Sequence, residues 1–361
     1  MSDVSLTVEG RVGVITLTRP KALNALSHDM IRQIDAQLAA WEQDVGIAFV
    51  LIESASERAF CAGGDIKQIC LDGMSKAKQN HAFFIDEYEM NKRLYAYDKP
   101  VVSLIDGIVM GGGFGLAGHG RYRVGSEKTK FAMPEVGIGF YPDVGSGYVL
   151  SRMEDGFGFY LGLTGGVVGQ GDAFACGFLT HCVASADMRA LRSALVALEA
   201  AGEVEAVLRR FGGEATLEEA WAQRALLKRC FGGNSIATIL GALDEATSTA
   251  PAAATQEFAS KTAAQIRSKS PTSLGVTLKH LRGSRNLDFV ASMEQEMRIS
   301  GHMLMNPDFY EGVRAVVVDK DHRPDWQEFS DSAAQERFTA SFLAQEPDWK
   351  RLQEGVQSRV V

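Results

Sequence analysis

The chain has 361 residues, of which 46% are hydrophobic, and carries a net charge of −8. This composition fits a soluble globular protein with room for a large core, in one big domain or two smaller ones. The acidic balance argues against a nucleic-acid or membrane surface, but leaves room for an anionic ligand at a local site. Cys61, Cys70, Cys176, Cys182 and Cys230 are odd in number and form no CxxC pair. They speak for a reducing compartment and against a disulfide frame or zinc. The seven histidines form no HxxxH or HxH motif, so no metal is expected. No basic n-region, Arg-rich leader or bilayer-length apolar run stands out, and the expected location is the cytoplasm.

In chain order, Val4–Glu9 and Val12–Thr18 alternate around Gly10-Arg11 and predict a hairpin. After a loop, Ser27 is placed to cap an amphipathic helix running to about Glu42, with Met30, Ile31, Ile34 and Leu38 on one face. A short apolar strand is expected over Ala48–Ile52, a long helix over Lys78–Tyr97 and a buried strand over Pro100–Ile105. Short strands follow near Tyr122–Val124 and Lys130–Ala132. This alternation predicts a layered α/β domain over residues 1–186. Helical signals dominate residues 187–361: Asp187–Ala200, Val204–Phe211, Leu217–Cys230, Ala253–Ile266, Thr272–Leu281 and Asp308–Val318, then a polar tail that turns helical near its end. The stretch 202–254 reads as an inserted helical layer without chemistry of its own.

The chemistry concentrates in a few places. Glu135 and Asp143 lie among apolar residues, glycines and prolines that exclude a regular helix between them. A bend there lets both carboxylates face one space, and partial burial should raise a carboxyl pKa toward that of a usable base. The competing role for Glu135 is an ordinary ion pair, and for Asp143 a helix N-cap. Ala62-Gly63-Gly64-Asp65 and Gly111-Gly112-Gly113 each follow a buried strand. If each opens a helix, two free amides can make a hole for a carbonyl oxygen gaining negative charge; the alternative is tight backbone packing. Gly113-Phe114-Gly115-Leu116-Ala117-Gly118 satisfies GxGxxG, but lacks the setting of a dinucleotide fingerprint. Glu87 shares its helix face with Phe83, Phe84, Met90 and Leu94, so it either pairs in the core or faces a cavity. Cys61 reads as a small core residue rather than a nucleophile.

Arg19-Pro20-Lys21-Ala22-Leu23-Asn24-Ala25-Leu26, Ala59-Phe60-Cys61-Ala62-Gly63-Gly64-Asp65-Ile66, Gly111-Gly112-Gly113 and Met133-Pro134-Glu135 resemble the crotonase (enoyl-CoA hydratase/isomerase) superfamily. Phe140-Tyr141-Pro142-Asp143-Val144-Gly145, Ser270-Pro271-Thr272-Ser273-Leu274 and the run Asp308–Val316 resemble its hydrolase branch. The resemblance spans nearly the whole chain. It implies an α/β fold, a crotonase-like ββα spiral with a helical C-terminal region, acting on an acyl-CoA. By the same resemblance, the amides of Gly64 and Gly112 match the oxyanion hole and Glu135 the catalytic acid. Glu87 and Asp143 match acyl-site residues, and Leu23, Ala62, Asp65 and Ile66 lie on the loops that meet CoA. Hydratases carry a second glutamate where Gly115 stands, so hydration should be poor here.

The implied reaction is hydrolysis of a short 3-hydroxyacyl-CoA thioester, with 3-hydroxyisobutyryl-CoA, an intermediate of valine breakdown, as the expected substrate. No cofactor is needed, since CoA is part of the substrate. A homo-oligomer is possible in this family; nucleic-acid and membrane partners are not expected. A hydratase or isomerase of the same fold, or a non-catalytic acyl-CoA-binding protein, are the alternatives.

Overall fold

The computed structural model describes residues 3–75 and 79–327. The helix expected near the C-terminus and the expected first residue of the long helix, Lys78, lie outside the described residues. The described chain forms two compact units, each built from three stretches. Of the described residues, the first comprises 3–65, 86–132 and 167–221, and the second comprises 66–75 with 79–85, 133–166 and 222–327.

The first unit holds nine strands. A six-stranded sheet runs β1 (Val4–Glu9), β2 (Val12–Leu17), β3 (Phe49–Ser54), β5 (Val101–Ile105), β7 (Tyr122–Gly125) and β9 (His181–Cys182). A three-stranded sheet runs β4 (Ala59–Cys61), β6 (Ile108–Met110) and β8 (Lys130–Ala132). The β1–β2 hairpin is antiparallel and every other pairing is parallel. Three times in succession a strand of the large sheet is followed by one of the small sheet, which is the ββ step of a spiral. The three-residue strands β4 and β6 were not legible in the sequence, because so short an apolar run has no readable period.

The centre of the large sheet is covered on both faces, so β5 is buried along its whole length and β3 over Phe49–Ile52, whereas the edge strand β1 alternates apolar and polar residues. On one face, Val12, Val14, Phe49, Leu51, Val102, Leu104 and Val124 pack with Leu191, Leu195, Val204 and Leu208 from the helices Met188–Val196 and Val204–Phe211. On the other lies α1 (His28–Gln43), capped by Ser27, whose side chain accepts from the Met30 amide. Its Trp41 sits so close to β2 that a Cβ on Gly13 would lie 2.6 Å from the indole. Helices beyond residue 187 thus complete a core begun at residue 12, and the boundary expected near 186 falls inside this unit. The stretch 202–254 is likewise divided, with Val204–Phe211 in the first unit and Ile236–Thr249 in the second.

The second unit is helical, with longer helices over Ile236–Thr249, Ala253–Arg267, Pro271–Ser284 and Phe289–Met303. The helix expected over Leu217–Cys230 is in fact two, Glu219–Ala222 and Arg224–Cys230. In the first unit, the buried Asp172 carboxylate accepts the amides of Glu218 and Trp221, which starts a short helix there independently. Among the described residues no helix is long and apolar enough to cross a membrane.

Candidate active site

In the first unit, the two glycine turns do open helices. Ala62–Asp65 leads into α2 (Ile66–Ser75), and Gly111 precedes α4 (Gly112–Ala117) with φ +50°. The first turn is held from below by the loop before α1. Leu26 donates to the Gly63 carbonyl and accepts from the Asp65 amide, while Ala62 donates to the Leu23 carbonyl. That bracketing takes the Gly63 carbonyl and the Asp65 amide, and the Gly64 N–H, trans to the Gly63 carbonyl across the planar peptide, points the other way. Among the described residues, neither the Gly64 nor the Gly112 amide donates to a backbone or side-chain acceptor. The turns touch: a Cβ on Gly112 would lie 3.1 Å from the Gly64 nitrogen, and one on Gly63 would lie 3.7 Å from the Gly112 nitrogen. Two unclaimed N–H groups this close, each at a helix start, can stabilise one developing oxyanion.

Glu87 stands beside them. It lies on α3 (Gln79–Ala96), is 2% exposed, and places Oε1 2.5 Å from the Cβ position of Gly112. Its neighbour Asp86 turns away to His28, at 2.6 Å. The apolar stripe of Phe83, Phe84, Met90 and Leu94 is buried as expected. A carboxylate on that stripe faces the glycine turns rather than solvent.

The loop that shapes the first turn has its own anchor. Asn24, fully buried with φ +56°, donates to Ser54 Oγ and to the carbonyls of Ala59 and Phe60, and accepts from the Arg19 amide. Arg19 pairs with Asp65 at 2.7 Å, so the Asp65 carboxylate is engaged within the loop. Cys61 is a core thiol. It donates to the Asn24 carbonyl at 3.1 Å, and burial, reinforced by the nearby Glu87 charge, pushes its pKa up to about 12. All five cysteines are free and buried, and burial raises each of their thiol pKa values. At pH 8 the thiols therefore stay protonated and sheltered. Iodoacetamide at pH 8 is expected to leave Cys61 unmodified by mass spectrometry and activity unchanged; modification of Cys61 with loss of activity would assign it a reactive role.

The GxGxxG glycines lie in and at the end of α4, directly behind a strand, β6, that the sequence did not reveal. Their use is packing: a Cβ on Gly113 would collide with the Cys61 carbonyl, and one on Gly118 would lie 2.8 Å from the Phe114 carbonyl. Among the described residues no group of three or more His, Cys, Asp and Glu side chains is arranged to hold a metal.

In the second unit, Glu135 opens a single 3-10 turn, Glu135–Ile138, after Pro134. Its residue is 6% exposed and both carboxylate oxygens are sealed from solvent. The turn closes on Gly139, φ +71°, where a Cβ would collide with the Asp308 carbonyl. Asp143 is 5% exposed. It is not the side-chain N-cap of the following helix: α5 (Ser146–Leu150) has Gly145 at its N-cap, with no side-chain cap bond. Instead the Asp143 carbonyl accepts the Ser146 amide.

Val144 and Gly145 both take left-handed backbone, φ +56° and +82°. That conformation is costly for a β-branched residue. It is held by a residue the sequence reading did not single out. Glu296, on the helix Phe289–Met303 and fully buried, accepts the Gly145 amide at 2.7 Å and the Gly147 amide at 3.0 Å. The signal was present: Glu296 shares its helix face with Met293, Ile299, Ser300 and Met303, the pattern that points to Glu87.

These features match a known family. The family model for enoyl-CoA hydratase/isomerase matches residues 12–343. The chain belongs to the enoyl-CoA hydratase/isomerase family. Within it, the chain is similar to proteins named 3-hydroxyisobutyryl-CoA hydrolase, mitochondrial. The one from Danio rerio is 39% identical over 344 residues, covering 93% of this chain and 88% of the relative. The one from Homo sapiens is 39% identical over 332 residues, covering 90% and 84%. Among solved structures of the family, a carnitinyl-CoA dehydratase from Mycobacterium thermoresistibile is 36% identical with a TM-score of 0.88, covering 96% of this chain and 98% of that one. An enoyl-CoA hydratase from Rhodobacter sphaeroides is also 36% identical, with a TM-score of 0.84 and coverage of 97% and 99%. The fold is the ββα spiral with a helical C-terminal region that members of this enoyl-CoA hydratase/isomerase family share.

Proposed function

We propose that this chain is a thioester hydrolase that converts 3-hydroxyisobutyryl-CoA and water to 3-hydroxyisobutyrate and CoA. The observation that carries the reading is the pair of unclaimed amides at Gly64 and Gly112 beside the buried Glu87. The relatives' names supply the substrate. The thioester oxygen accepts from the two amides, which stabilise the negative charge as C1 becomes tetrahedral. Glu135 supplies the attack, either directly, forming a mixed anhydride that water then cleaves, or by taking a proton from water. In both routes the C–S bond breaks and CoA leaves as the thiolate. Asp143 holds the 3-hydroxyl or the hydrolytic water, and Glu87 closes the acyl pocket. Leu23, Ala62, Asp65 and Ile66 belong to the loops that receive CoA. The reaction asks for no separate cofactor, and its partner is the acyl-CoA itself, with no nucleic-acid or membrane contact in the reading; it is compatible with a homo-oligomer and does not require one. The five free cysteines fit a reducing compartment, which we take as the cytoplasm, although the relatives are named mitochondrial.

A second reading is a hydratase or dehydratase, which the names of the two solved structures bring in. Gly115 speaks against it. Hydration across a double bond uses two carboxylates on one water, and this family's second one is replaced here by a glycine buried in α4. Thiol release from 3-hydroxyisobutyryl-CoA, 3-hydroxypropionyl-CoA and crotonyl-CoA separates the readings. Release of CoA from the hydroxyacyl thioesters only is the expected result. Loss of the enoyl absorbance without free thiol would replace hydrolase by hydratase, and tight binding without turnover would make the chain a binding protein.

A further inference from the structure

Glu296 and His280 form a buried pair in the second unit that none of the chemistry above uses. Both are fully buried, and His280 Nε2 lies 3.1 Å from Glu296 Oε1. The other ring nitrogen, Nδ1, lies 3.2 Å from Gln295 Oε1 and 3.3 Å from Ser284 Oγ. Glu296 Oε2 takes the Gly145 amide and Oε1 the Gly147 amide. Its backbone carbonyl also accepts the Tyr141 hydroxyl at 2.6 Å. One residue therefore holds the chain on both sides of Asp143 and Val144.

A buried carboxylate is expensive unless several donors satisfy it, and three donors meet this one. Charge-assisted bonds of this kind are short and directional. They hold Val144 in a backbone state that its own side chain disfavours. This hold comes from far away in sequence, since Glu296 lies 151 residues from Gly145, and it adds to the local bond from the Ser146 amide to the Asp143 carbonyl. Gly147 is the only residue type that fits, because a Cβ there would collide with the His280 ring. The pair and the loop are built to each other.

We infer that Glu296, oriented by His280, is a positioning residue for Asp143: it fixes the turn 143–147 so that the Asp143 carboxylate is presented for the acyl group or its water. The inference rests on the proposed role of Asp143 in thioester hydrolysis.

The test is a double-mutant cycle on the full chain, read by thiol release from 3-hydroxyisobutyryl-CoA with melting temperatures alongside. Glu296→Gln keeps the shape but puts an NH2 donor against an N–H donor. It should lower kcat/KM by about ten- to a hundredfold, and that loss should largely vanish in an Asp143→Asn background. His280→Gln keeps a donor for Glu296 and should stay near wild type, while His280→Leu should fall as Glu296→Gln does. The His280 variants carry the test if Glu296→Gln does not fold. Additive losses in the cycle, wild-type turnover for Glu296→Gln or His280→Leu, or equal losses for His280→Gln and His280→Leu, would overturn the inference while leaving Asp143 in the reaction. A fully active Asp143→Asn would remove Asp143 itself, and the inference with it.

Discussion

Glu135→Gln should fold like wild type and release thiol from 3-hydroxyisobutyryl-CoA about a hundred- to ten-thousandfold more slowly, the range expected when a positioned acid–base group is removed. The substitution preserves volume in a place where only 6% of the residue is exposed, so packing of the 3-10 turn should survive. What disappears is the anionic oxygen. An amide can neither displace CoA as a nucleophile nor accept a proton from water at neutral pH. KM should change little, because the loss is confined to the chemical step. Wild-type thiol release by this variant would end the assignment of Glu135 and return it to an ordinary buried acid.

Gly112→Ala should cost about a hundred- to a thousandfold in kcat, as loss of one oxyanion donor does. Gly112 does not need positive φ, so the backbone accepts alanine and the effect is steric. The added methyl would stand 2.5 Å from Glu87 Oε1 and 3.1 Å from the Gly64 nitrogen. It pushes Glu87 aside and covers the Gly64 amide in one step. The measurement is kcat on the 3-hydroxyacyl thioester together with the melting temperature. Activity within a few fold of wild type would show that the oxyanion sits elsewhere. A large drop in melting temperature would instead assign these glycines to packing.

Much of this site was legible because its signals are local. A capping serine four residues ahead of Ile31, a glycine pair after a strand and an acid on an apolar helix stripe each act within one or two turns of chain. Helix geometry favours Glu87 over Asp86 for the apolar face, and Asp86 pairs with His28. What was not legible depends on partners far away in sequence. The start of the short helix Glu219–Ala222 is fixed by Asp172 reaching the amides of Glu218 and Trp221. The left-handed Val144 follows from Glu296. The helices from Met188 to Phe211 look like the start of a separate region, yet their apolar faces fit the large sheet. The aromatic pair ahead of Asp143 also carries structure: the Tyr141 hydroxyl bonds to the Glu296 carbonyl and Ser300, and the Phe140 ring packs at a tilt against Phe84 and Phe309.

The interleaving of chain segments bears on biosynthesis. The opening strands, made first, are not fully covered until the helices ending at Phe211 emerge. A ribosome adding about 5–20 residues per second needs roughly ten to thirty seconds to travel from residue 65 to residue 221. Through that interval the sheet face opposite α1 displays greasy surface with no mate. Chaperone dependence during translation, and aggregation of chains truncated before residue 211, are the natural corollary.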